Sequence, residues 1–463
     1  MKRVRGVWLT NVASDVYEFK DSINQAIELL AKTGFNVVFP VVWNKGHTLY
    51  ESDVMERHFG PGFKIDPAHQ ATGRDPLAEI VEAAKKYKLK VIPWFEYGFA
   101  ASAVQKTAAG GLREFGEHIL QKKPNFAAVD HTGKPLIKPH PKNVGDIGFK
   151  WMNALNPEVQ AFMIELIVEV VQKYDVDGIQ GDDRLPAFPV EGFDQDAATR
   201  FAPSGAKPTA TNTKWMEFRA DILTKFLKEL CDQVRQVGTS KGKKLLISMA
   251  PHPRGFGFRE YLQDTKAWLD LIDMMHPQLY RRTPDDLHDA SGRLITNGYI
   301  NLANLELQGL RADQVAKISP GILMKEGDDY RISNTYLDKA VKHNRTKKLA
   351  GEVFFFFEGL RKPNDSTAKI LRDPLYSVIK LDDEGPDVVK LQKLLKNLSK
   401  PEFDPGEPDG IFGTKTEEAV KAYQKSQFPS SPSDIDGKVG GRTLAKLGFA
   451  SLNAFGEKLD LLD

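Results

Sequence analysis

The sequence predicts an α/β fold, a (β/α)8 TIM barrel with enlarged loops, followed by a small all-α C-terminal domain of three helices. Three observations predict it. Strand-like and helix-like stretches alternate eight times over about 375 residues, the repeat of such a barrel. Several of the strand stretches are almost continuously apolar, as strands buried on both faces are. No Gly-rich phosphate loop follows the first strand, which argues against an open doubly wound sheet.

The elements follow in order. Val4 to Thr10 reads as a strand, and Asp21 to Lys32 as a helix whose apolar stripe is Ile23, Ala26, Ile27 and Leu30. Gly34 stops that helix, and Phe35 to Trp43 is an apolar second strand. Asp75-Pro76 opens a helix with an N-cap and a first-turn proline, before a third strand at Leu89 to Glu96. Residues 100–150 read as one long loop rich in Gly, Pro, Lys and His. Asn156-Pro157-Glu158 starts a long helix leading into Tyr174-Asp175-Val176-Asp177-Gly178-Ile179-Gln180-Gly181-Asp182-Asp183-Arg184. This fourth strand delivers two acids and an arginine to its C-terminal end, where barrel chemistry is done and where unused charge is costly. Pro186 to Lys214 reads as an irregular insertion and Trp215 to Val237 as a helix. Strands five to eight fall at Leu245 to Ala250, Ile272 to Tyr280, Lys317 to Leu323 and Leu349 to Glu358.

The expected boundaries are residues 1–378 for the barrel, 379–450 for the helical domain and 451–463 for a tail. Past Gly385-Pro386, Val388, Val389, Leu391, Leu394, Leu395 and Leu398 form a helical stripe. An internal repeat follows: Asp409-Gly410-Ile411-Phe412-Gly413-Thr414-Lys415-Thr416 is echoed by Asp436-Gly437-Lys438-Val439-Gly440-Gly441-Arg442-Thr443. Asp-Gly predicts a turn, the second glycine a left-handed residue, and Thr a cap for the next helix.

Composition narrows the function. A net charge of +2, from 64 basic and 62 acidic residues, makes no case for nucleic acid or an anionic membrane. No run is long enough to span a membrane, and the N-terminus has no hydrophobic signal core, so no export signal is read here. Cys231 is the single cysteine and sits in a helical pattern, so it reads as a core thiol. His252 and His276 lack the close His spacing of a metal centre, and no metal or other cofactor is expected.

The terminal module resembles the peptidoglycan-binding domain type 1 family, through Gly385 to Leu395, Asp409 to Gly413, Thr416, Ala419-Val420 and Tyr423-Gln424. That resemblance implies binding to bacterial cell-wall glycan or its peptide stems, and so a place in the cell envelope, periplasmic or extracellular. The barrel looks like glycosyl hydrolase-like family 10, through Arg5 to Thr10, Gly34-Phe35-Asn36, Leu155 to Val159, Tyr174 to Ile179 and Asp182-Asp183. It departs at Arg184, where that family often has an aromatic or histidine. It departs again at Trp43-Asn44-Lys45-Gly46, where the family often has an arginine.

Glycoside hydrolysis needs a protonated acid and a second carboxylate. Strand alternation puts Gly178, Gln180 and Asp182 on one face, so Asp182 is the better candidate for the barrel mouth, with Asp183 sharing its proton or orienting Arg184. The second carboxylate is Glu96, after the third strand, or Glu358, after four phenylalanines; Glu326 is a weaker option. Asn11, Trp43, Trp94, Arg184, His252, His276, Gln278 and Tyr280 are the candidate substrate-binding residues, with Trp43, Trp94 and Tyr280 as stacking platforms. The expectation is a glycoside hydrolase of peptidoglycan strands or a related envelope polysaccharide. A non-catalytic glycan-binding scaffold and a hydrolase of another polysaccharide are the alternatives.

Overall fold

Among the described residues, eight short parallel strands pair edge to edge until the last meets the first. The computed structural model describes residues 3–115, 118–205, 207–289, 291–361, 379–383 and 386–448. The strands are β1 (Val4–Leu9), β2 (Val37–Pro40), β3 (Lys90–Val91 and Trp94–Phe95), β4 (Gly178–Gly181), β5 (Leu246–Met249), β6 (Met274–Met275), β7 (Gly321–Leu323) and β8 (Gly351–Phe355). One run of pairing is β7-β8-β1-β2-β3, and the other is β3-β4-β5-β6. The bridge Val41–Trp94 joins the two halves of β3 to β2, while Met275–Ile318 and Gln278–Gly321 close β6 onto β7. β3 comes in two pieces because Pro93, between them, has no N–H to donate. β6 stops before Pro277 for the same reason, shorter than the apolar run suggests.

The barrel interior is filled rather than hollow. The fully buried Trp8 ring has Phe39, Trp94, His276, Tyr280 and Phe355 around it, all centroids within 6.4 Å. Its Nε1 donates to Gln180 Oε1 at 2.7 Å, and Gln180 Nε2 donates to Ser248 Oγ at 2.9 Å. This chain satisfies three polar groups across the interior of β1, β4 and β5. It also confirms that Gln180 points inward, so Asp182, two residues on, emerges over the mouth.

The surrounding helices are α1 (Lys20–Lys32), α2 (Pro76–Tyr87), α3 (Pro157–Lys173), α4 (Thr213–Ser240), α5 (Arg254–Tyr261), α6 (Tyr299–Leu307) and α7 (Asn334–Thr346). α1 buries Ile23, Ala26, Ile27 and Leu30, the stripe read from the sequence. Asp75 caps α2 by accepting from Ala78 N, and Asn156 caps α3 by accepting from Glu158 N, each with proline at the first turn.

Two stretches expected to be irregular carry structure. Residues 100–150 hold an antiparallel sheet in the order Ile147–Trp151, Ala100–Lys106, Leu112–Glu114. The Gly, Pro and Lys content of its connections masked strands whose buried residues are mostly small, among them Ala100, Ala101, Ser102 and Ala103. The insertion after β4 contains a helix, Gln195–Phe201, capped by Asp194. Arg219 of α4 pins that insertion by donating to the carbonyls of Val190, Gly192 and Ala210, at 2.8 to 2.9 Å.

A second, separate hydrophobic core lies in the C-terminal region, made by Ile379, Val388, Leu391, Leu395, Phe403, Phe412, Val420, Tyr423, Val439 and Leu444. Its helices are α8 (Pro386–Asn397), α9 (Thr414–Gln427) and α10 (Gly441–Lys446). The proposed boundary at 378 and the tail 451–463 lie outside the described residues.

The sequence repeat is a repeat of hydrogen bonding. Gln392 donates to Asp409 Oδ1, Ile411 O and Thr416 Oγ1, and accepts from Gly410 N. Gln424 does the same with Asp436 Oδ1, Lys438 O, Thr443 Oγ1 and Gly437 N. The left-handed residues are the glycines of Asp-Gly, Gly410 at φ +78° and Gly437 at +74°, whereas Gly413 is extended at −85°. The threonines likewise serve the glutamines: α9 has no side-chain cap at its Gly413 start. Both expectations are corrected because a buried glutamine, not the helix end, organises each turn.

Candidate active site

Four charged residues converge at the C-terminal ends of β3 and β4. Arg184 Nη2 lies 3.5 Å from Asp182 Oδ2 and 3.9 Å from Glu96 Oε1, and Arg184 Nε lies 3.4 Å from Asp183 Oδ1. Arg184 Nε also donates to the Glu96 carbonyl at 3.1 Å. Its guanidinium sits over the rings of Tyr97 and Phe149, at 5.1 and 4.9 Å. One desolvated cation thus faces three carboxylates, and the two aromatic faces hold it there.

Each carboxylate has its own partners. Asp182, 2% exposed, accepts from Gln278 Nε2 at 2.6 Å, and the same amide nitrogen donates to Ala250 O at 2.9 Å. Asp183 Oδ2 lies 3.3 Å from His252 Nε2, and the buried Gln263 donates to the Asp183 carbonyl while accepting from His252 N. Glu96 accepts from Asn44 Nδ2 at 2.6 Å, and Asn44 reaches Asn11 Oδ1 at 3.2 Å.

These surroundings drive the acids apart. Burial, with the neighbouring Asp183 and Glu96 charges adding to it, holds the Asp182 carboxyl well above the usual range, against the pull of Arg184. Burial also opposes ionisation of Asp183, but Arg184, His252 and the bond to Asp182 outweigh it and keep Asp183 low. Within this adjacent pair the proton is held more tightly by Asp182 than by Asp183. Burial lifts Glu96 to about 6 despite Arg184 and Asn44, so near neutral pH it is mostly ionised. A proton donor and an ionised carboxylate beside one guanidinium is the equipment of acid–base glycosyl chemistry.

The expected site residues divide. Asp182, Asp183, Glu96, Arg184, Asn11, Gln278 and His252 meet at this end of the barrel. Tyr280 lies beside them, stacked on Phe355 at 4.6 Å, and the charges of Asp182, Asp183 and Glu96 add to burial in raising its hydroxyl pKa. Trp43, Trp94 and His276 do not present a face to a ligand. Trp43 is fully buried, with Nε1 donating to Gly98 O at 2.9 Å. Trp94 and His276 pack against Trp8 inside the barrel. Burial takes His276 to about 4, and its Nδ1 lies 2.9 Å from Ser319 O. The pleat turned these three side chains into packed interior. Glu358 accepts from Ser14 Oγ at 2.9 Å and lies 3.8 Å from Arg361, sharing no partner with the cluster among the described residues. Glu326 is exposed and pairs with Arg282 at 2.7 Å.

Sequence reasoning missed Asn44, Gln263 and Phe256 as site residues. Asn44 had a signal, a polar residue just past an apolar strand. Gln263 and Phe256 had none. Phe256 is 44% exposed and meets the His252 ring edge-on at 5.0 Å, the open aromatic face that the tryptophans do not supply. Among the described residues no group of three or more His, Cys, Asp or Glu is arranged to hold a metal ion, and no helix is long and apolar enough to cross a membrane.

The chain is similar to proteins of known family. The Glycosyl hydrolase-like 10 model matches residues 3–319, and the peptidoglycan binding domain model matches residues 384–447. "Glycosyl hydrolase DigH" of Escherichia coli K12 is 28% identical over 304 residues, which cover 60% of this chain and 65% of that protein. "Glycosyl hydrolase YngK" of Bacillus subtilis is 24% identical over 311 residues, covering 60% and 54%. The chain thus spans less than two thirds of the length of these relatives. Among solved structures, the PgaB (BpsB) glycoside hydrolase domain from Bordetella bronchiseptica has a TM-score of 0.53 at 9% identity, covering 80% of this chain and 99% of that one. Alpha-L-fucosidase isoenzyme 2 from Paenibacillus thiaminolyticus gives 0.50 at 14% identity, covering 80% and 48%. At such identities these likenesses show the barrel fold and nothing finer. With its barrel strands and acid cluster largely inside the matched span, the chain belongs to the glycosyl hydrolase-like 10 family and carries a peptidoglycan-binding-domain segment after it.

Proposed function

We propose that this protein is a glycoside hydrolase of peptidoglycan glycan strands or a related envelope polysaccharide, working in the cell envelope. The observation that carries the proposal is the convergence of Asp182 and Glu96 on Arg184, with burial favouring the protonated form of Asp182. In this reading Asp182 protonates the leaving glycosidic oxygen. Asp183 stays ionised beside it and raises its proton affinity, so that Asp182 regains a proton from water after the leaving group has taken the first. Glu96, ionised at neutral pH, acts as base or nucleophile on the opposite side of the sugar. Arg184 keeps the three carboxyls from repelling one another, and Phe256 offers a ring for a sugar to stack on. The glycosyl-hydrolase names of the relatives support the reaction class, and the C-terminal segment supports the wall as the place of action. In this reading residues 379–450 form a wall-binding domain that raises the local substrate concentration without entering the chemistry.

One observation favours the non-catalytic alternative. Asp182 is almost sealed by Gln278 and Arg184, so an acid role requires substrate to enter between them. The test is a digest of purified, peptide-free wall glycan strands by wild type and Asp182→Asn, read by mass spectrometry. Release of short oligosaccharides by wild type alone is expected. Equal release by the variant would remove Asp182 from the mechanism, and wall binding without release by either protein would leave a scaffold.

A further inference from the structure

Tyr280 stands just past β6, two residues after Gln278, whose amide holds Asp182. Its ring is enclosed. Phe355 stacks on it at 4.6 Å with the planes 23° apart, and Trp8 meets it at 87°. The bridge Gln278–Gly321 brings β7 alongside, and a Cβ at Gly321 would stand 3.0 Å from Tyr280 Cε1. The ring therefore belongs to the packing, and the stacking platform read from the sequence is not what this residue offers.

The hydroxyl is placed differently. Tyr280 is half-buried, and among the described residues Oη has no hydrogen-bond partner and is not sealed from solvent. Burial, with the charges of Asp182, Asp183 and Glu96 adding to it against Arg184, raises the phenol's pKa and keeps the group a neutral donor. These are the three carboxyls that meet at Arg184, so Oη opens onto the space among them. Charge limits what it can bind there. Three carboxyl groups already face one guanidinium, which disfavours a further anion and suits an uncharged acceptor oxygen.

We propose that Tyr280 Oη is a substrate-positioning donor, giving its hydrogen bond to an uncharged oxygen of the sugar unit held between Asp182 and Glu96. The proposal rests on the glycan reading given above, but its test does not depend on cleavage. The oxygen is either the carbonyl of an acetamido substituent or a hydroxyl of the ring.

The test follows the Cζ resonance of Tyr280 in the full chain carrying isotopically labelled tyrosine, with the resonance identified by its loss in Tyr280→Phe. Four probes are titrated: a peptide-free wall tetrasaccharide, chitotetraose, cellotetraose, and the tetraglucuronate made by oxidising cellotetraose at its C6 positions. The resonance should shift with the wall fragment and chitotetraose and stay in place with the tetraglucuronate. A shift with the two acetamido probes alone assigns the acceptor to the acetamido carbonyl; a shift with cellotetraose as well assigns it to a ring hydroxyl. Tyr280→Phe keeps the ring and its stacking on Phe355. It should weaken calorimetric binding of the shifting probes about fivefold to tenfold, the loss of one neutral hydrogen bond, and leave Tm unchanged. Equal affinity of wild type and variant for a probe that shifts the resonance overturns the donor role. So does an unmoved resonance with every uncharged probe at its solubility limit, or an equal shift with the tetraglucuronate. A shift without any glycan cleavage would sink the hydrolase and leave the donor standing; cleavage of wall strands without a shift would do the reverse.

Discussion

Gln278 Nε2 donates to Asp182 Oδ1 at 2.6 Å, a bond from the end of β6 to the end of β4 between residues 96 apart in the chain. The other carboxyl oxygen, Oδ2, lies 3.5 Å from Arg184 Nη2. A hydrogen bond donated to a carboxylate favours the ionised form, so it moderates the rise that burial imposes on Asp182. Gln278→Ala should therefore raise the Asp182 pKa further. The basic limb of the pH–rate profile moves to higher pH, while kcat falls about tenfold to a hundredfold from lost orientation. A fall in rate with an unmoved basic limb would assign Gln278 a merely structural part.

Asn44 does for Glu96 what Gln278 does for Asp182. With Glu96 near 6, activity should fall as pH drops through that value, because Glu96 must be ionised to act. Asn44→Ala removes a 2.6 Å donor to the ionised form and raises this pKa. The variant's deficit is then larger at pH 6 than at pH 8. Rate measurements at the two pH values, compared with wild type, check the sign.

Arg184 neutralises the whole cluster. Arg184→Ala leaves buried carboxylates without their cation and should cost about 3–5 kcal/mol of stability. Loss of that cation raises the pKa of the acids it faces. The deficit should therefore shrink as pH falls through the carboxylate range and the acids discharge. Urea unfolding at pH 7 and pH 4 measures both the cost and its relief. A deficit independent of pH would show that lost packing on Tyr97 and Phe149 is the larger effect.

The repeated glutamines make a separable prediction. Gln392 and Gln424 are each 1% exposed, and each satisfies four partners. Either one changed to Ala leaves buried polar groups unpaired and should cost about 2–3 kcal/mol. Because this region has its own core, the loss should appear as a lowered calorimetric transition of its own. Retention on purified wall should fall, while turnover of a short soluble oligosaccharide stays unchanged.

Legibility in the sequence followed the range of the interaction. The alternation of elements, the helix stripe of α1 and the proline-marked helix starts were readable because each depends on neighbours a few residues apart. The Asp182-Asp183-Arg184 run was readable because a strand end that spends burial on charge stands out in a line of apolar residues. The shared face of Gln180 and Asp182 followed from the period of two. The repeat announced itself by identity, although its purpose, two glutamine-centred turns, did not.

What only the tertiary structure decided is which candidates meet. Glu96 stands beside Arg184 across 88 residues of chain, whereas Glu358, the other candidate from its apolar setting, is held by Ser14 and Arg361 instead. Trp43, Trp94 and His276 sit near strand ends, as an active-site residue should, yet all three turn into packed interior. The physical reason is that burial and pairing are sums over neighbours far away in the sequence. Local pattern set which residues occupy a strand end; closure of the barrel set which of those ends carry charge into a shared site and which carry rings into the core.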